Sequence, residues 1–581
     1  MNNTHSTIAR RGTAPASYRR WWAAPLACLA TLLALPVGAA TDIPDDPLTT
    51  GARVPPNVLF VLDDSGSMAF EAMPANAVSD TWTTRTYVHN AVYYNPAKTY
   101  LPWVGADGTP LSGGTSYDAA YGSFNLVGGS TIDLGDSGSC GRFNHNQTPR
   151  GTDEFATGGT LVCGGPQRFY VPKDPTSTNT SYLGNSSNYY MYKILRDGSG
   201  IVRGERGTVS ESSTNLTISP GSGSVQQWNE NTHTVTVPAS ATSASFSLTS
   251  SLRSVMYYVL DPNNIEICSG QVNEGNTGTC HVPDPLAGTY QLIAWRWDRA
   301  NSQANYTLSA SSATGNRCGP GTGNTDWINC SAALPSASRS LSQELANYAT
   351  WFSYHRTRMK AAKAGASAAF SELGTNIRVG FRTIWQQNGS VTTGNWPRQA
   401  VPIPVQYNDG LFDDVTIDGD THDNRSKWYR RLHGAIGQNG TPLHGALFQA
   451  GTYFGSDAVT GPYGPQSGAD QLACRQNFTI LTTDGYWNNE TQNYPSESRV
   501  GNVDGTDGPT ITEASTGASY TYEAVAPYAD AHGETNGTLA DVAMQFWKND
   551  LRTGMRNIVP TTDANPAFWQ HMVTFGLSIG L

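Results

Sequence analysis

The reading turns on "NVLFVLDDSGSMAF", residues 57–70. It opens as a short apolar, β-branched run, the pattern of a strand buried on both faces. It then breaks into two aspartates, two serines and a glycine. Ligands of open parallel sheets bind beyond the carboxyl ends of the strands. Asp63, Ser65 and Ser67, spaced D-x-S-x-S, therefore place hard oxygen donors where a ligand would sit.

Other segments repeat the theme. "NFTILTTDG" (477–485) reads as a second buried strand ending in Asp484, and Thr441 lies in a Gly-Thr-Pro turn that opens "LHGALFQAGTYF", a helix. "NIRVGFRTIW" (376–385) and "HMVTFGLSIGL" (571–581) read as strands, and "SKWYRRLHGAI" and "TLADVAMQFWKNDLRTGM" as helices. The Ala-rich, proline-free stretch at 342–373 predicts one long helix with Ser342 as N-cap. Strands alternating with helices predict an α/β fold, a doubly wound parallel sheet. Between them, residues 200–312 alternate with strand period and predict a small antiparallel sandwich. The expected map is a signal peptide at 1–40, a first α/β segment at 41–105 and a loop-rich insertion at 106–199. The sandwich at 200–312, a linker at 313–341 and the rest of the α/β domain at 342–581 follow.

Composition bounds the function. A chain of 581 residues exceeds one small core. Only 14% of residues are charged and 10% are aromatic, which suits an exported, β-rich protein rather than a disordered one. The net charge of −10 argues against nucleic acid as partner. Arg10, Arg11, Arg19 and Arg20 precede the apolar stretch Trp21 to Leu35 and the small residues "PVGAA", a secretory signal whose loss makes the chain more acidic still. No other apolar run reaches spanning length, so no stable membrane span is expected after cleavage. Cys140 with Cys163, Cys268 with Cys280, and Cys318 with Cys330 form three sequence-local couples, read as disulfides of an oxidising compartment. The Cys268–Cys280 couple would staple a hairpin, and Cys474 is left over.

Asp63, Ser65, Ser67, Thr441 and Asp484 make two carboxylates and three hydroxyls, without histidine or cysteine. That set suits a hard divalent cation, Mg²⁺ first, then Mn²⁺ or Ca²⁺. Two aspartates neutralise one such ion and the neutral hydroxyls leave it electrophilic, so it would still accept an outside carboxylate.

D-x-S-x-S followed by "GTPL" and "TDG" resembles the metal-ion-dependent adhesion site of von Willebrand factor type A domains. The flanks "AVYYNPAKTYLPW", "YHRTRM", "TPLHGALFQAGTYF", "LTTDGYWN" and "FWQHMVTFGLSIG" resemble the N-terminal half of the PilY family. That resemblance implies a type IV pilus adhesin or assembly factor, exported through the periplasm to the cell surface or pilus tip. The implied partners are minor pilins or tip components, and a host or abiotic surface ligand presenting a carboxylate. Family members usually continue into a calcium-binding β-propeller, so a chain ending at Leu581 is expected to be a fragment or to lack that domain. The stretch between residues 106 and 339 is expected to form a rim or lid at the site. Two other readings stand beside adhesion: a secreted metal-dependent hydrolase, for which Asp64 is the obvious general base, and a scaffold whose metal only orders loops.

"GDSGS" (135–139) resembles a protease nucleophile loop but lacks a suitable upstream histidine. "DGDTHDN" (418–424) and "GNVDGTDG" (501–508) have the alternating oxygens of calcium loops without the full pattern. "WYRRLH" (428–433) reads as a packed helix face, and the Tyr and Trp residues around 82–103 as core rather than an adhesive surface.

Overall fold

Asn57–Leu62 is buried along its whole length because it has a neighbour on each side and helices above and below. It pairs in parallel with Arg378–Thr383 on one side and Asn477–Thr483 on the other, and Val573–Ser578 adds to the latter, also in parallel. Leu59, Val61 and Leu481 pack against the helices Leu443–Phe454 and Leu539–Trp547. On the other face, the Phe60 ring lies 5.3 Å from Phe370 and 5.8 Å from Trp428.

This computed structural model describes residues 54–74, 82–129, 131–136, 140–142, 161–163, 167–196, 198–226, 228–296, 303–322, 325–385, 403–437, 440–485, 487, 500–526, 528–529 and 537–579. The signal peptide expected at 1–40 lies outside the described residues, as does the end of "GDSGS". The described residues belong to one compact unit, Val54–Leu581.

The doubly wound α/β class does not describe the chain. Among the described residues, three five-stranded sheets, paired antiparallel throughout, stand beside one four-stranded parallel sheet, and there are only six α-helices. The chain is mostly β. The strand–helix alternation at the two ends is local, and the interval between them supplies most of the strands.

Two of the antiparallel sheets face each other across a core that includes Phe246, Leu248, Val259, Tyr290, Leu292 and Tyr306. The third joins Gln167–Pro172, Tyr189–Ile194, Ile201–Thr208, Thr325–Ala332 and Arg317–Thr322. Residues 313–341, expected as linker, thus carry two strands of that sheet, and the loop-rich 106–199 interval supplies two more. Phe169, Tyr192 and Ile194 from this sheet share a core with Tyr348, Trp351 and Phe352 of the helix Leu341–Tyr354. The insertion is therefore bonded into the fold rather than hung from it.

The single long helix is also corrected: Leu341–Tyr354 and Arg358–Ser371 are separate. Ser340, not Ser342, caps the first, in a capping box with Gln343. Thr357, in extended conformation, caps the second by accepting the Lys360 N–H at 3.1 Å. A capping hydroxyl inside an Ala-rich run thus ends one helix and starts another.

The Cys268–Cys280 disulfide joins Glu266–Val272 to Thr277–Pro283. These strands close the edges of different sheets, so the bond clamps the sandwich across its two layers instead of stapling paired strands. Cys318–Cys330 does join paired strands. The backbone register sets Cys140 opposite Cys163, whose side chains lie outside the described residues, and Cys474 is free. Each observed bond closes a loop of separation 12, worth about 3 kcal/mol of chain entropy. Replacing Cys268 and Cys280 together by serine is expected to destabilise the sandwich by about that amount in denaturant unfolding under oxidising conditions. Reductant should bring the parent protein down to the same level or below.

Candidate functional site

Register brings the two oxygen-rich segments together. Leu62 lies opposite Thr482, so Asp63 and Asp484 leave adjacent parallel strands at the same end of the sheet. The Asp63 N–H continues the ladder to Thr482 O at 2.9 Å. Beyond it the chain turns: Asp63 Oδ1 accepts the Ser65 N–H at 2.8 Å, which starts the short helical turn Gly66–Ala69. Asp63 Oδ2 accepts the Thr483 hydroxyl at 2.7 Å.

A hydroxyl relay crosses to the other carboxylate. Ser65 Oγ and Ser67 Oγ are 3.0 Å apart, and Ser67 Oγ donates to Asp484 Oδ1 at 2.9 Å. The second oxygen of Asp484 receives Arg358 Nη1 at 2.7 Å. Four of the five expected donors, Asp63, Ser65, Ser67 and Asp484, thus form one hydrogen-bonded cluster. Thr441 is buried and follows Gly440, whose carbonyl accepts Trp385 Nε1 at 2.5 Å. Trp385 also donates its backbone N–H to Asp64 Oδ1 at 3.1 Å, which ties the Thr441 turn to the Asp63 loop. The same turn presses on that loop at Gly437, where a Cβ would stand 2.6 Å from Ser65 O.

Asp63 is fully buried. Burial first, then the charge of Asp484, push its carboxyl up to about 6, against the pull of the Ser65 and Thr483 hydrogen bonds. The arrangement holds negative charge in a space that resists it, and a divalent cation would relieve this. The donor set fits such an ion in chemistry: oxygen only, two carboxylates, neutral hydroxyls. Among the described residues no group of three or more His, Cys, Asp or Glu could hold a metal, so the hydroxyls are integral to this reading.

Sequence reasoning missed Arg358, Thr483 and Trp385. Thr483 was in view, one residue before Asp484, but its contact with Asp63 needs the strand register. Arg358 needs the helix break, whose only local sign is Thr357 three residues before Lys360.

The insertion reaches this neighbourhood through residues 122–125. Thr357 Oγ1 donates to Phe124 O at 2.7 Å, Arg356 reaches Gly122 O, and the Gly437 N–H meets Asn125 Oδ1 at 3.3 Å. Of the weaker motifs, Asp418 and Gly419 take positive φ at a hairpin turn between Asp414–Ile417 and Asp420–Asp423. The 501–508 loop is occupied by a side chain: Lys548 Nζ lies 2.6 Å from Val503 O, 2.7 Å from Thr506 O and 3.0 Å from Thr506 Oγ1. An ammonium group takes the place a calcium ion would need.

The class so defined is a β-rich protein with an oxygen-donor site at the carboxyl ends of a parallel sheet. No family model matches the chain. A type IV pilus biogenesis factor PilY1 of Pseudomonas aeruginosa strain PAK is 31% identical over 254 residues, 40% of this chain and 19% of the relative. Its counterpart in strain UCBPP-PA14 is 28% identical over 264 residues, 43% of this chain and 19% of the relative. The matched part of the chain is similar to these PilY1 proteins. The chain spans about a fifth of the length of these relatives. Among solved structures, the periplasmic lysozyme inhibitor PliG of Aeromonas hydrophila matches 19% of this chain at 15% identity with a TM-score of 0.13. Tripeptidyl peptidase 2 matches 17% with a TM-score of 0.15, and at such scores neither carries an argument.

The raised Asp63 carboxyl has a testable sign. Its folded form binds the proton more tightly than the unfolded chain, so the stability it contributes is complete below 3.8 and is lost as pH rises through about 6. The loss approaches about 3 kcal/mol. Without divalent ions, urea unfolding between pH 4 and pH 7 is expected to show this decline, and Asp63→Asn to flatten it.

Proposed function

We propose that the chain is a type IV pilus-associated adhesin or assembly factor that binds its ligand through a divalent cation held by Asp63, Ser65, Ser67, Thr441 and Asp484. The observation that carries the reading is the cluster itself: two buried carboxylates from adjacent strands, joined by serine hydroxyls. The pilus context comes from the PilY1 relatives, named as biogenesis factors. The bound ion, Mg²⁺ first and Mn²⁺ or Ca²⁺ next, would supply an electrophilic contact for a ligand carboxylate. The chain's own residues orient that contact: Asp63 and Asp484 carry the charge, Ser65 and Ser67 space them, and the Trp385 link sets the Thr441 turn against them. Minor pilins or tip components are the proposed partners within the pilus, and a carboxylate-bearing surface the proposed target. Export through the periplasm to the surface belongs to the same proposal. No helix among the described residues is long and apolar enough to cross a membrane.

Binding is favoured over hydrolysis by the state of Asp64. The base that a hydrolase would need is 1% exposed and accepts the Trp385 backbone N–H. A general base must reach the proton it takes, and Asp64 is instead engaged in tying the Trp385 backbone to the loop.

Calorimetric titration of the purified protein with Mg²⁺, Mn²⁺ and Ca²⁺ tests the site. One saturable ion per chain is expected, lost in an Asp63→Ala/Ser65→Ala double variant that circular dichroism shows to be folded. Thr441→Ala should retain the fold and lose adhesion to carboxylate-bearing surfaces. Undiminished adhesion in that variant would return the site to a scaffold role.

A further inference from the structure

Among the described residues, Arg358 is the one cation that pairs with a carboxylate of the candidate site. Its Nη1 lies 2.7 Å from Asp484 Oδ2, and its Nε donates to Ala72 O at 2.6 Å. The residue is 1% exposed and its guanidinium stands 5.5 Å from the centre of the Phe70 ring. Nη2 is buried and has no hydrogen-bond partner among the described residues. A guanidinium normally uses its planar fork of donors in pairs, so this one is held short of its capacity. The geometry is imposed from outside the site. Thr357 caps the helix and bonds to Phe124 of the insertion, and Arg358 is the first helical residue after it.

The charge balance follows. Within the relay, Asp63 and Asp484 bring two negative charges and Arg358 one positive, so those groups are short of neutrality by one charge, not two, while Asp64 is engaged outside the relay by the Trp385 N–H. A divalent cation entering the relay leaves an excess of one positive charge. Without Arg358 the same ion would leave the cluster neutral. Like charges a few ångströms apart in a poorly hydrated space repel strongly. An anion arriving with the ion would cancel the excess.

Resting on the metal-site reading above, we propose that Arg358 is a resident counter-cation that weakens binding of the divalent ion alone and makes it depend on a carboxylate ligand. Ion and ligand then bind cooperatively, and by linkage each strengthens the other to the same degree. The arginine acts through Asp484 and is a positioning residue. It selects for ligands that bring negative charge, and disfavours neutral ones that could also coordinate the ion.

The test is titration of Mn²⁺ into the parent protein, Arg358→Met and Arg358→Lys, each with and without acetate as the probe carboxylate. For the parent and Arg358→Lys, acetate is expected to tighten Mn²⁺ binding about tenfold or more. Arg358→Met is expected to bind Mn²⁺ tighter without acetate and to respond to acetate little, and its melting temperature should become strongly Mn²⁺-dependent. Equal Mn²⁺ affinity in the parent and a folded Arg358→Met, or an acetate effect that survives the methionine, would overturn the proposal while leaving the metal site intact. Absence of Mn²⁺ binding in all three folded proteins would overturn the metal site itself. If Arg358→Met fails to fold without the ion, refolding it in Mn²⁺ supplies the readout: recovery supports the proposal and no recovery with Mn²⁺ or acetate counts against it.

Discussion

Two carboxylates buried side by side are the constraint around which this end of the molecule is arranged. Asp63 and Asp484 leave adjacent strands at the same end of the sheet, one residue apart in register, both almost wholly excluded from solvent. Taking one carboxylate out of water is costly, and a second beside it adds repulsion. The surrounding structure answers with directed donors: the Ser65 N–H, the Ser67 and Thr483 hydroxyls, and the Arg358 guanidinium. Each donor comes from a separate decision of the chain. The turn after the first strand supplies the serines, the strand register supplies Thr483, and a helix interrupted at Thr357 supplies Arg358. Disturb the register by one residue and every side chain of the strand exchanges faces, so the site exists only in this alignment.

That alignment is made over long distances in sequence. The central strand pairs with segments more than 300 and more than 400 residues downstream. Closing such intervals is slow, because chain entropy must be surrendered before the contacts repay it. The antiparallel sheets between them have cores of their own, which shortens the effective interval. The sheet closed by Arg317–Thr322 and Gln167–Pro172 goes further, since it shares buried aromatics with the helix Leu341–Tyr354. That shared core orients the segment which then breaks at Thr357 and delivers Arg358. The insertion is thus part of how the site is built, by way of Phe124 on Thr357 and Asn125 on Gly437.

What could be read from sequence was what is local. Asp63, Ser65, Ser67 and Asp484 were visible because oxygen donors follow directly on apolar strands, and those strands stand where periodicity places them. The class of the whole is not legible for the same reason: strand–helix alternation is confined to the ends of a chain whose middle is antiparallel sheet. Arg358 was hidden inside an Ala-rich run in which helix propensity outweighs a single threonine. The hydroxyl of that threonine wins only because Phe124 offers it a carbonyl and Lys360 an N–H, and the carbonyl comes from more than 200 residues away. The cross-layer course of Cys268–Cys280 was equally out of reach, since spacing alone does not say which strands pair.

The 501–508 loop and the Asp63–Asp484 cluster show how one device has two outcomes. In the 501–508 loop, Lys548 brings an ammonium among carbonyl and hydroxyl oxygens, and its donors are used fully. An ion arriving there would have to displace a covalently tethered competitor already satisfied by its cage. At the Asp63–Asp484 cluster the tethered cation is a guanidinium that reaches one carboxylate from the side and leaves Nη2 without a partner among the described residues. It reduces the negative charge without occupying the space between the carboxylates, where the serine hydroxyls lie. A filled cage is complete as it stands, whereas a cluster that is only part-neutralised retains an appetite for positive charge. The difference between these two sites is therefore the placement of one basic side chain: an ammonium inside the cage in one, a guanidinium at the side of a carboxylate in the other.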